Sequence, residues 1–210
     1  MKSSKLQLTF LTTQQDKLDQ IKLAFLPYTK RIYIVGGFLR DTMMNIVSDD
    51  IDIEVFGVDQ ELFKKIMQKL DAVVLSEKFN VYNYKGIDIA LPRVETKVSK
   101  GYHGFDIEIT DDEFKATLRR DFTMNSLMYN ILESKLYDFH NGLDDIEDKI
   151  LRVVDEKSFE QDSLRLVRAV RFMAQFSLNT DIKTKEILKK MNIEELSKSR
   201  INKELQKVFT

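Results

Sequence analysis

The hydrophobic positions of the chain change character near Val154. Before that point helical and strand spacings alternate; after it every apolar run has helical spacing. Leu18, Ile21, Leu23, Phe25 and Leu26 predict an amphipathic helix over Gln14–Tyr28, with Thr12 and Thr13 as candidate caps. Arg31–Val35 reads as a strand, Gly36-Gly37 as a turn, the segment through Met44 as a short helix, and Asp50–Phe56 as a second strand. Gly57 breaks it, and Leu62, Ile66 and Leu70 mark a helix over Asp59–Leu70.

Ala72–Leu75, Val81–Tyr84 and Ile87–Leu91 are β-rich, and Lys85-Gly86 turns the last two into a hairpin. Pro92–Phe105 is polar and basic and reads as a mobile loop. Helices are expected over Asp111–Arg119 and Asp121–Asn130, a short strand over Lys135–Phe139 and a turn at Asn141-Gly142. Gln161–Phe176, Thr184–Met191 and Ser199–Phe209 then read as helices. The expected fold class is α+β: a mixed-sheet domain over residues 1–154 and an all-helical domain over residues 155–210, the latter either cut short or naturally minimal, because the C-terminal segment INKELQKVFT is still helical in character.

Composition narrows the classes. The net charge of −1 gives no overall field to draw the chain onto nucleic acid, so any RNA contact must come from local patches or from segments outside this sequence. With no cysteine there are no disulfides or thiolate metal sites, which suits a reducing cytoplasm. No signal-peptide core and no run of 18 apolar residues is found, so no membrane partner is expected.

The chemistry concentrates around Asp50 and Asp52. At alternate positions of a strand both carboxylates leave one face, with Cα atoms roughly 6.6 Å apart. Side chains at that spacing can converge on ions about 3.5–4 Å apart, the separation of two-metal phosphoryl transfer. Ile51, Ile53 and Val55 point to the opposite face, into a core. Gly36-Gly37, between a strand and a helix, lets backbone N–H groups approach a phosphate, although neither G-x-G-x-x-G nor a P-loop is present. Arg40 either meets phosphate as a planar fork or pairs with a strand carboxylate. Glu54 shares the face of the aspartates and reads as a structural salt bridge. Asp88, in the apolar run IDIAL, is a candidate third metal carboxylate.

In RRDFTMNSLMYN, Arg119, Arg120 and Asn125 can donate to phosphate or ribose oxygens, and Asp121 can accept from a ribose hydroxyl or cap a helix. Phe122, Leu127 and Met128 are core on either reading. Along Gln161–Phe176, Leu164, Val167, Val170 and Ala174 share one arc, with Asp162, Arg165 and Arg168 on the other side. Asp162 and Arg165 form either an exposed ion pair or a base reader. Cytosine and adenine both present an amino donor beside a ring-nitrogen acceptor, which an Asp–Arg pair matches; uracil and guanine present the reverse. His103 and His140 lack metal-ligand spacing and read as loop and turn residues.

Six ordered segments, IVGGFLRD, SDDIDIEVFG, IDIALPRVETK, RRDFTMNSLMYN, DFHNGLDDIEDKILRVV and FEQDSLRLVRAVRF, resemble the class II CCA-adding enzyme and bacterial poly(A) polymerase family over roughly residues 30 to 176. The resemblance implies a nucleotidyltransferase (polymerase beta-like) head followed by a helical neck. It implies template-independent addition of CMP and AMP, from CTP and ATP, to the 3′ end of tRNA, with Mg²⁺ as cofactor. By resemblance Asp50 and Asp52 are the catalytic metal carboxylates, Gly36, Gly37 and Arg40 bind triphosphate, Arg120 and Asp121 bind ribose, Asp138 and Gly142 belong to a hinge, and Asp162 and Arg165 recognise the base; Arg119 is a further triphosphate candidate and Arg168 a further base candidate. Gln161 departs from the family's Glu-Asp-x-x-Arg, keeping an acceptor but losing a charge. The loop Pro92–Phe105 looks full length, as in members that add adenosine. A poly(A) polymerase, or a nucleotide-binding fragment inactive without the family's RNA-gripping body and tail, is the alternative.

Overall fold

The computed structural model of the chain describes residues 2–97, 105–193 and 196–207. The order of elements is β1 (Lys2–Lys5), α1 (Thr12–Phe25), β2 (Ile32–Val35), α2 (Gly37–Met43), β3 (Asp52–Val55), α3 (Gln60–Lys69), β4 (Val73–Ser76), β5 (Val81–Tyr84) and β6 (Ile87–Ala90). There follow β7 (Arg93–Lys97), β8 (Phe105–Ile109), α4 (Glu113–Thr117), a 3-10 turn (Thr123–Asn125), β9 (Met128–Asn130), β10 (Lys135–Asp138), α5 (Gly142–Glu147) and β11 (Ile150–Leu151). The remainder is α6 (Glu156–Glu160), α7 (Leu164–Phe176), β12 (Asn179–Thr180), α8 (Ile182–Lys190) and α9 (Lys198–Gln206).

Eight strands make one mixed sheet in the order β1-β10-β9-β2-β3-β6-β5-β4. The apolar run Ile32–Val35 is buried at every position, as a central strand covered on both faces must be. It pairs antiparallel with β3, setting Val35 opposite Asp52, and β3 pairs parallel with β6, setting Asp52 opposite Asp88. Ile34, Ile53 and Ile89 from these three strands pack with Leu18, Ile21 and Phe25 of α1 and Phe63 of α3. A second core joins Phe122 and Leu151 to Phe159, Ala169 and Phe172, with their rings edge to face. Phe122, Leu127 and Met128 are all core, as the pattern predicts.

Several expectations need correction. The expected helix Asp121–Asn130 is a 3-10 turn followed by β9. Strand β9 lies between β2 and β10 with all three residues buried, so no period-two alternation betrays it. Within the expected loop Pro92–Phe105, Arg93–Lys97 pairs antiparallel with β8; residues 98–104 and His103 lie outside the described residues. Strand β1 was missed because KSSK is exposed and polar throughout; its ladder to β10 holds it. The second strand begins at Asp52 rather than Asp50. Asn141-Gly142 is less a turn than the start of α5, with Asn141 left-handed (φ 58). The cap of α1 is Leu11, whose N–H donates to Gln14 Oε1, rather than a threonine.

The helical region also contains β12, which pairs parallel with β11. On α7 the expected apolar arc is buried only in part: Val167 is 6% exposed and faces inward. Val170 is 51% exposed, while Ala169 and Phe172, on the arginine side, are fully buried. The aromatic rings draw that side inward because the arginines stack on them: Arg171 lies 3.9 Å from the Phe172 ring centre and Arg168 lies 5.1 Å from it.

Gly142 fixes how closely α5 approaches the 3-10 turn. A Cβ there would stand 2.3 Å from the Thr123 carbonyl oxygen and 2.8 Å from its carbon. Both are backbone atoms, so no side chain can yield. Gly142→Ala is therefore expected to cost roughly 2 kcal/mol or more in urea denaturation. A variant as stable as the parent would show that the two segments separate freely.

Candidate active site

Strands β2 and β3, the turn after α4 and helix α7 converge on a cavity of about 440 Å³. Its lining contains Gly36, Gly37, Arg40, Asp50, Asp52, Arg119, Arg120, Asp121, Asp162, Arg165 and Arg168, so residues read from five separate segments meet in one place. Asn125, Arg171, Phe172 and Lys207 complete it. Seven cationic side chains against four carboxylates make this a strongly positive wall in a chain of net charge −1. That balance suits a polyanion.

Gly36 sits at the turn from β2 into α2 with φ +77, a conformation that favours glycine. A Cβ there would lie 3.5 Å from Arg120 Nη1 and 3.7 Å from Asp52 Oδ2, so a bare backbone keeps this corner open. Asp50, exposed before the strand, and Asp52, at its start, both reach the cavity. Burial pushes the Asp52 carboxyl up; Arg120 opposes this, but Asp50, Asp88 and Glu54 reinforce it, and the result is about 6. Asp88 stands opposite Asp52 in register, yet its Oδ1 accepts from Asn83 Nδ2 at 2.6 Å and it does not line the cavity. Among the described residues no three acidic or histidine side chains are grouped to hold an ion; Asp50 and Asp52 are the candidate metal carboxylates that reach the cavity.

The arginines are held from behind. Glu54, 3% exposed, accepts from both Arg119 Nη2 and Arg120 Nη2, the structural pairing its position predicted. Burial alone would raise its carboxyl; Arg120 and Arg119 outweigh that and lower it. Arg119 Nε is buried without a partner among the described residues, which leaves one donor for an anionic oxygen. Arg40 pairs neither with a strand carboxylate nor outward as a fork. It donates to Asp41 Oδ1 at 2.7 and 2.8 Å and to Asn125 Oδ1 at 2.8 Å, beneath the rings of Phe172 and Phe176.

Asp121 caps no helix with its side chain. Its Oδ1 accepts from the Phe122 N–H and from Asn125 Nδ2, and its Oδ2 from Arg168 at 2.7 Å. Burial would raise this carboxyl, but Arg168, Asn125 and Arg165 bring it down to about 2. Asp162 precedes α7 and accepts the Leu164 N–H at 3.1 Å. Arg165 donates to the Arg119 carbonyl at 2.5 Å and to Ser158 Oγ at 3.3 Å. A further cavity of about 380 Å³, reaching Phe79 and Arg93, shares Arg119, Asp162 and Arg165 with the first. Outside the site, His140 is a packed turn residue, its Nε2 2.8 Å from Thr117 Oγ1 and its ring stacked on Phe114.

Reading the sequence missed Arg171 and Lys207. Arg171 follows Arg165 and Arg168 at a spacing of three, a signal that was present; Lys207 comes from α9, far along the chain, with no local signal.

A mixed sheet that delivers paired carboxylates and a glycine corner to one cationic cavity, backed by a helix from the following segment, is a nucleotidyltransferase head. The profile described as "Poly A polymerase head domain" matches residues 32–152, and the chain belongs to that family. It is similar to the multifunctional CCA protein of Xanthomonas campestris pv. campestris, 35% identical over 153 residues, 70% of this chain and 36% of that one. The CCA-adding enzyme of Lactobacillus helveticus is 29% identical over 205 residues, 86% of this chain and 49% of that one. Among solved structures, the Thermotoga maritima CCA-adding enzyme complexed with tRNA matches with a TM-score of 0.68 and 28% identity over 91% of this chain and 47% of that one. The chain thus spans half or less of these relatives. No helix among the described residues is long and apolar enough to cross a membrane.

Nucleotidyltransferases generally use a divalent metal, and the donor set fits one. Asp50 and Asp52 are hard oxygen donors, and Asp52 lies in a surplus of negative charge that a cation would relieve. Because the folded carboxyl titrates near 6 and an unfolded one near 3.8, the native state holds the extra proton between those values. Stability therefore falls as pH rises across that window. In metal-free protein, Asp52→Asn is expected to open a stability advantage between pH 4 and 6 that levels off above at roughly 3 kcal/mol. Thermal unfolding in chelator across that range measures it; parallel curves for the two proteins would refute the assignment.

Proposed function

We propose that this chain is the catalytic head, residues 1–154, and base-reading neck, residues 155–210, of a metal-dependent nucleotidyltransferase that adds CMP and AMP from CTP and ATP to the 3′ end of tRNA. The observation that carries this reading is the meeting of Asp50, Asp52 and Gly36 with Asp162 and Arg165 in one cavity, so that reaction groups and base-selecting groups face one small molecule. Similar CCA-adding enzymes have been solved with CTP and with ATP. The absence of cysteine agrees with a cytoplasmic site of action.

In this reading Asp50 and Asp52 would hold Mg²⁺, which would supply the positive charge needed to activate the RNA 3′ hydroxyl and to stabilise departing pyrophosphate. Gly36 and Gly37 admit the triphosphate close to the backbone. Arg119 Nε donates to a phosphate oxygen, while Glu54 fixes its far end. Arg40, committed to Asp41 and Asn125, contributes positive field rather than a direct fork. Arg120 and Asp121 face the ribose, and Asp121 acts chiefly by fixing Asn125 and Arg168, from which it already accepts. Asp162 accepts from the exocyclic amino group of cytosine or adenine, and Arg165 donates to the neighbouring ring nitrogen.

The matched profile's description favours a second reading, a poly(A) polymerase, separable by product length on tRNA against unstructured RNA. The short span relative to the relatives favours a third, a module that binds CTP and ATP but needs a further segment for transfer. Calorimetry showing Mg²⁺-dependent nucleotide binding without transfer would select it. For the leading reading, tRNA lacking its terminal CCA is expected to gain C and A residues in the presence of Mg²⁺ and to gain none in chelator. The double change Asp50→Ala with Asp52→Ala should lower incorporation by at least about a thousandfold. Incorporation that survives both changes means that the metal assignment is wrong.

A further inference from the structure

Helix α9 packs against α7 and meets its arginines with an acid. Along α9, Arg200, Glu204 and Lys207, where the helix caps, recur at spacings of four and three, and so share one face. Arg200 Nη2 lies 3.5 Å from Asp162 Oδ1. Glu204, one turn on, is only 4% exposed. Its Oε1 accepts from Arg171 Nε at 2.7 Å and from Arg168 Nη1 at 3.3 Å, and its Oε2 from Lys207 Nζ at 3.2 Å. Burial alone would raise the Glu204 carboxyl, and Arg168 with Arg171 lowers it instead. Arg171 also donates to Gln175 Oε1 at 2.8 Å.

We propose that Glu204 is a positioning residue for nucleobase selection: through Arg168 and Arg171 it holds the cationic face of α7 so that Arg165 and Asp162 meet the base and not the triphosphate. The proposal deepens the reading above and rests on it. The argument is one of competing anions. Arg168 and Arg171 line the same cavity as Gly36 and Gly37, and a triphosphate carries more charge than any base edge. Arginines without a fixed carboxylate would turn to the phosphates, which are the same in all four nucleotides, and base contacts would lose their geometry. Glu204 occupies one donor of each arginine from a second helix, while Asp121 occupies other donors of Arg168. Arg200 steadies Asp162 from the same face. Helix α9 thereby complements the base reader with the opposite charge at each step, a duty the sequence motifs of α7 do not reveal.

The test is equilibrium binding of CTP, ATP, UTP and GTP, with inorganic tripolyphosphate as the base-free probe, to the whole chain with Mg²⁺. Glu204→Gln keeps the shape and removes the charge. It is expected to lower the preference for CTP and ATP over UTP and GTP by about tenfold, with tripolyphosphate affinity held within about twofold or tightened. Glu204→Asp, which keeps the charge, should restore most of the preference. An unchanged preference in Glu204→Gln overturns the proposal. So does an equal loss of affinity for every nucleotide and for tripolyphosphate, because that is a pocket merely collapsing. If Glu204→Gln does not fold, Glu204→Ala decides: a weakened preference with tripolyphosphate binding intact supports the role, and an unaltered preference overturns it. A wild-type chain that binds all four nucleotides equally sinks the base-reading function itself, and this inference with it.

Discussion

Like charges repel, and a cavity lined by seven cations holds together only because buried carboxylates stand behind them. Glu54 takes Arg119 and Arg120, Asp121 takes Arg168, and Glu204 takes Arg168 and Arg171. All three acids are below 10% exposed and all three have their carboxyls held low despite burial. Each comes from a different part of the chain: strand β3, the turn after α4, and α9. The site is therefore a product of tertiary packing. The strands and helices that carry these acids must dock before the arginines can coexist, and a chain lacking any one docking would expel its cations to solvent.

The same principle explains what could be read in the sequence and what could not. Asp50, Asp52, Gly36 and Gly37 were legible because their chemistry needs particular residue types at short spacing. Arg119, Arg120, Asp121, Asp162 and Arg165 were legible as parts of ordered motifs, and the cavity collects all of them. Arg40 was legible as a site residue but not in its partners, since Asn125 comes from 85 positions away. Glu204 was not, because it acts across a helix–helix contact that no local pattern encodes, and Lys207 reaches the cavity only once that helix has docked. Asp88 stands opposite Asp52 in register, as its strand predicts, while its Oδ1 accepts from Asn83 outside the cavity lining.

Secondary structure failed where burial erased periodicity. Three buried residues of β9 offered no alternation, and the apolar arc of α7 misled because three arginines on the other side stack on aromatic rings and go inward with them. An arginine that pairs and stacks counts as an interior residue, so a hydrophobicity pattern that scores it as solvent-facing turns the helix the wrong way. Strand β1 is the opposite case, polar enough to read as nothing yet held by the backbone ladder alone.

The interactions also connect regions that the sequence presents as separate. From Asp41 the contacts run through Arg40 to Asn125, to Asp121, to Arg168 and to Glu204. This unbroken chain joins the helix after the glycine corner to the last described helix, and Phe172 sits against three of its guanidinium-bearing neighbours. A group bound at the glycine corner and a group bound along α7 therefore act on one polar network, in which moving any arginine unbalances the acid behind it. Such a network costs stability at Asp52, where like charges face each other, and gains it at Asp121, where opposite charges do. The difference separates the two acids: Asp121 organises protein, whereas Asp52 stands among carboxylates whose negative charge Arg120 offsets only in part.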